Sequence, residues 1–188
     1  MQSKKSKLII SGLMVVLVIV GVIVFLFWGK DEEVNFVEEY TPQQEISEEQ
    51  QRQTIVSIYY NHKETGTLMP EAKLIDVKEL AKNPYMILLN LAINKPKSDK
   101  LESAIPEGTQ VINVEVKSDV ALVNLSSEFI ENHPGGAENE AKSVYAIVNT
   151  LTELNEINSV KILIEGEENK GFSDNIINFN EKFVRLEN

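Results

Sequence analysis

The chain has 188 residues, no cysteine and a net charge of −11. Without cysteine there are no disulfides, no thiolate chemistry and no Cys-based zinc site. The acidic balance excludes non-specific nucleic-acid binding, which needs a basic face to neutralise phosphates, and it disfavours anionic lipid headgroups.

The first predicted element is the run Leu8 to Trp28, which carries no charge and whose polar groups are Ser11 and the Trp28 indole. As a helix these residues rise about 31 Å, enough for a hydrocarbon core of ~30 Å. In lipid every backbone amide must bond internally, so a continuous helix is expected. Lys4, Lys5 and Lys7 precede the run and Asp31, Glu32 and Glu33 follow it. That asymmetry assigns residues 1–7 to a basic cytoplasmic tail, 8–28 to a single transmembrane helix and everything after Trp28 to the non-cytoplasmic side. A cleaved signal peptide would have a shorter apolar region of roughly 7–15 residues ending in small side chains, unlike Phe-Leu-Phe-Trp-Gly-Lys. The three lysines leave 15 of the 18 basic residues facing 29 acidic ones outside, a net −14.

Residues 29–53 read as an acidic flexible linker. Eight acids face only Lys30 and Arg52, and too few apolar side chains are present to offset the entropy of ordering.

From Thr54 the texture changes. Ile55 to Tyr60 is β-branched and aromatic, which predicts a strand, and a second strand is expected near Ala72–Asp76. Asn83-Pro84 is a helix start, with the helix running to about Asn94 before Pro96. Val111–Val116 and Val120–Ser126 alternate, with Ile112, Val114 and Val116 on one face of the first, and Ser118-Asp119 joins them as a two-residue turn. Ala137–Leu154 is an amphipathic helix whose apolar stripe is Ala141, Val144, Tyr145, Val148 and Leu151, and Val160, Ile162 and Ile164 mark a last strand. The order is ββαββαβ. It predicts a two-layer α+β fold, a mixed or antiparallel sheet with both helices on one face.

The segments Leu101–Thr109, Val123–Phe129, Tyr145–Glu153 and Val160–Gly166, in this order and spacing, resemble the GerMN domain, the sporulation and spore germination domain of endospore-forming and related bacteria. The resemblance covers about Ile55 to Gly166, within an expected domain of 54–166, followed by a C-terminal extension, 167–188, that packs on it. It implies a non-enzymatic, membrane-anchored envelope protein, an assembly or scaffold component linked to sporulation or germination. Its fold is similar to ring-building modules of channel complexes, and its expected partners are other envelope proteins, self-assembly included. Unlike the tandem form of the family, this chain has one copy and a predicted transmembrane helix in place of a lipid anchor. An extracytoplasmic module binding a cell-wall ligand is the alternative, and a concave polar pocket with aromatic walls would favour it.

No catalytic, cofactor or metal site is expected. The histidines are His62 and His133, both in turn-rich segments. Ser126 and Ser127 read as strand-end residues that satisfy backbone groups. The helix from Pro84 is apolar nearly all round, so it should be covered on more than one side. The tail residues Phe172, Ile176, Ile177, Phe179 and Phe183 are the expected cover. Met86, Ile87, Asn90 and Ile93 are the candidate interface if a partner supplies that cover instead.

Overall fold

The computed structural model describes residues 18–26, 52–173 and 176–185. They divide into two units, 1–45 and 46–188. In the first, residues 18–26 are helical (α1), with Val18, Ile19, Phe25 and Leu26 exposed. Among the described residues no helix is long and apolar enough to cross a membrane. The rest of the expected span, the basic tail and linker positions 29–51 lie outside the described residues.

The second unit begins with β1 (Gln53–His62) and β2 (Leu68–Asp76), then α2 (Val77–Leu80) and α3 (Pro84–Ile93). There follow β3 (Leu101–Glu102), β4 (Val111–Lys117), β5 (Val120–Leu125), α4 (Glu128–Glu131), α5 (Ala137–Leu151), β6 (Ser159–Ile164) and β7 (Phe183–Val184). Four short elements, α2, β3, α4 and β7, thus interrupt the expected order, and the fold is mixed α+β.

Local chemistry explains several boundaries. The Asn83 side chain accepts from Met86 N–H at 3.2 Å, with Pro84 at the first helical position where no amide donor is needed. Asp76 caps α2 in the same way, accepting from Lys78 and Glu79. Ser118 takes a positive φ of 59° in the tight turn between β4 and β5.

Where one sheet was expected, there are two. The first has the order β2-β1-β3 and is antiparallel; the second has the order β4-β5-β6-β7, with β5 and β6 parallel. A parallel pair needs a crossover, which α5 supplies. The strand β1 does not join the second sheet, and at its C-terminal end both its edges are used. One pairs with β2. On the other, Asn61 and His62 pair with β3, and Tyr59 N–H donates to Thr150 Oγ1 of α5 at 3.1 Å.

Both long helices touch both sheets: α3 meets β1 and β4, α5 meets β1, β2 and β6, and the helices meet each other. This corrects the single apolar stripe expected on α5. Glu140, Ser143, Ala146, Ile147 and Thr150 are buried beside Val144, Val148 and Leu151, while Ala141 and Tyr145 are only partly covered. It also supplies the second cover of α3. Tyr60 of β1 is fully buried and its hydroxyl donates to Leu91 O at 2.6 Å. The tail aromatics go elsewhere: Phe172 and Phe179 pack on Phe129 of α4, and Phe183 meets Tyr145 edge-on.

The face expected for β4 is also corrected. A bulge lies between Val111 and Asn113, so Val111 packs on the core and Ile112 is 46% exposed. An extra residue in one strand reverses the side on which its neighbours project.

Candidate functional site

The structure separates the histidines and serines considered for catalysis. His62 Nδ1 accepts from the backbone of Glu64 and Thr65 within its own turn. Ser126 Oγ accepts from Gln110 N–H at 3.0 Å, closing the strand end, and Ser127 N–H donates to Glu165. His133 meets a different serine, Ser143 of α5, at 2.9 Å. Its Nδ1 accepts from Gly135 N–H, so the proton sits on Nε2 and is donated to Ser143 Oγ. The serine hydroxyl in turn faces two backbone carbonyl acceptors, Ala104 O at 2.6 Å and Asn139 O at 3.1 Å. A general base must accept the nucleophile's proton, and here the imidazole gives one. The pair holds the Pro134 loop and the chain at Ala104 against α5. Among the described residues no group of three or more His, Cys, Asp or Glu side chains could hold a metal ion.

Concave surface is concentrated along α5. A cavity of about 600 Å³ lies between the segment Leu101–Glu107, the end of α3 at Ile93, and Asn139, Lys142 and Ser143 of α5. A second, of about 400 Å³, is bounded by Tyr59, the loop at Gly66–Leu68, and Glu138, Ala141, Lys142, Tyr145 and Asn149 of α5, with Arg185 at one end. Lys142 lines both.

The charges are mostly paired. Lys142 Nζ is 2.8 Å from Glu138. Gly66, at φ 68°, lets the loop pass close to that ammonium, since a Cβ there would lie 3.3 Å from Lys142 Nζ. The Arg185 guanidinium stacks 5.3 Å from the Tyr59 ring centroid and bonds both Tyr59 and Glu153. Burial, then the hydrogen bond to Glu153 and its charge, push the Tyr59 phenol above its ordinary pKa, against the opposing pull of Arg185. Two amide oxygens in the walls, Asn61 Oδ1 and Asn149 Oδ1, are buried without a hydrogen-bond partner.

The candidate interface positions lie on α3, with Met86, Ile87 and Ile93 half-buried and Asn90 exposed. Of these four, Ile93 lines the larger cavity. The residues lining these cavities were not legible as a group: Tyr145 read as part of the apolar stripe and Tyr59 as strand, and Lys142 and Asn149 fell outside that stripe. A tyrosine in an otherwise aliphatic stripe was the one available signal, because its hydroxyl seeks a polar edge.

The family model described as sporulation and spore germination matches residues 57–170, more than half of the chain. The chain belongs to this family. Among solved structures, the tandem GerMN domains of the sporulation protein GerM from Bacillus subtilis align with a TM-score of 0.55 at 19% identity, covering 72% of this chain and 47% of that one. The chain therefore spans about half the length of that tandem protein. The first GerMN domain of GerM aligns at 0.51 and 22% identity, over 61% of this chain and 84% of that domain. At such identities these likenesses establish the GerMN-type fold alone. No curated protein matches the chain.

Proposed function

We propose that this member of the sporulation and spore germination family is a non-enzymatic envelope component. One helix anchors it in the cell membrane, its domain lies on the outer side, and it assembles with other envelope proteins or further copies of itself in sporulation or germination. The anchoring rests on the uncharged run 8–28 between Lys4, Lys5, Lys7 and the acids from Asp31. The assembly role rests on family membership and on one observation carried by the fold. Ile55 and Leu74 pair across β1 and β2 on the outer face of the hairpin and remain 68% and 61% exposed. Beside them β2 is an edge strand, and an exposed apolar edge is a template for association.

Two measurements test this. Protease added to intact protoplasts digests the domain, whereas protection alongside a cytoplasmic marker overturns the orientation. Crosslinking in cells captures the wild-type chain in larger species and loses them on Ile55→Asp with Leu74→Asp. Undiminished crosslinking of a folded double variant rejects this face as the assembly surface.

A further inference from the structure

The smaller cavity runs along one face of α5 from Glu138 to Asn149, over which a helix rises about 16 Å, and the larger cavity shares Lys142 with it. This is a trough for an extended oligomer rather than a closed pocket for one small molecule. Its lining narrows the chemistry of the occupant. Lys142 is paired with Glu138 and Arg185 with Glu153, so both basic groups of the smaller cavity are neutralised by a carboxylate. Such pairing gives a polyanion no unopposed basic face, on a domain that is acidic overall. A peptide would add to a strand edge, yet where β1 borders the trough, from Tyr59 to His62, both edges are occupied, by β2 on one side and by β3 and Thr150 on the other.

What remains is an uncharged chain with apolar faces and hydrogen-bonding rims. Tyr59 and Tyr145 offer ring surface in the smaller cavity, Tyr145 steadied by its edge-on contact with Phe183. Asn149 lines the same cavity and its side-chain oxygen is buried without a partner, so a donor that reached it would add a hydrogen bond that the free protein lacks. Asn61 leaves a second unpartnered amide oxygen on the other side of Lys142.

We infer that the trough along α5 binds an uncharged saccharide chain, its C–H faces against Tyr59 and Tyr145 and its hydroxyl or acetamido groups on the asparagine amides. The test is calorimetric titration of the detergent-solubilised full chain with chitobiose, chitohexaose, a polyanionic dextran sulfate and an unrelated decapeptide. Chitohexaose binds, chitobiose binds at least several-fold more weakly, and dextran sulfate and the peptide do not bind. Tyr145→Ala and, separately, Asn149→Ala lower the hexaose affinity about tenfold or more, equivalent to about 1.4 kcal/mol. Asn149→Ala deletes an amide with no partner for its oxygen inside α5, so it does not lower the melting temperature and keeps the test informative if Tyr145→Ala folds poorly. No binding of the hexaose, binding indifferent to Asn149→Ala, or preferential binding of the polyanion or the peptide overturns the assignment.

Discussion

The phenol of Tyr59 and the guanidinium of Arg185 hydrogen-bond across a separation of 126 residues, and both also bond Glu153 just beyond α5. The first strand, the second long helix and the end of the described chain thus meet at one point. Arg185 and Glu153 remain more than a third exposed, so water and salt screen their attraction. Phe179, by contrast, is fully buried among Phe129, Phe172 and Phe183.

The relative size of these two contributions is testable. Arg185→Ala costs at most ~1 kcal/mol, whereas Phe179→Ala costs about 3–5 kcal/mol by leaving a cavity. Denaturant titrations of the full chain, followed by circular dichroism, compare them. Equal losses would mean that the ion pair holds the tail as strongly as the aromatic cluster does and would overturn this ranking.

The tail also makes one close approach of backbone to backbone. A Cβ on Gly171 would lie 3.0 Å from Asn178 Cα and 3.1 Å from Ile177 O, neither of which is a flexible side-chain end. Gly171→Ala should therefore destabilise by about 1–3 kcal/mol through overpacking. Proteolysis should then cut the tail first, before the strands of the domain; an unchanged cleavage pattern argues that the loop shifts freely.

The His133–Ser143 pair should behave as a structural link. Ser143→Ala removes the hydroxyl that bridges His133 and Ala104 O and costs about 1–3 kcal/mol. A fluorophosphonate probe should not label the wild-type chain, because Ser143 donates its proton to a carbonyl. Labelling that disappears in Ser143→Ala would show an activated nucleophile.

Acid should weaken another contact, at half-buried Glu71. Burial alone would raise the Glu71 carboxyl, but hydrogen bonds from the N–H groups of Lys97 and Ser98, and the Lys73 ammonium 3.5 Å away, bring it below its ordinary 4.5. A folded pKa below the unfolded one stabilises above the unfolded value, and that contribution fades as pH falls through the folded value. Glu71→Gln should be less stable than wild type near neutrality, with the gap closing below pH 4.5. A gap constant with pH would place its origin in packing and not in the carboxylate charge.

How much of this was legible follows from the range of the interactions. Asn83 and Pro84 announce α3 because capping acts within one turn, and Ser118-Asp119 announces its hairpin because a two-residue turn is local. The strands β1, β4, β5 and β6 and the long helices carry their period in their own side chains. The sequence by itself therefore determined the main elements and the absence of thiol chemistry. It also determined, through four segments in register, the family. The partition into two sheets was not readable, because it depends on what meets the edges of β1, and Thr150 lies 91 residues from Tyr59. Ile112 pointed the wrong way because a bulge appears only when β4 meets β5. The trough along α5 was decided by tertiary structure alone. Its walls come from β1, the segment after α3, α5 and Arg185, and only packing of both sheets on the helices brings those surfaces to face one another.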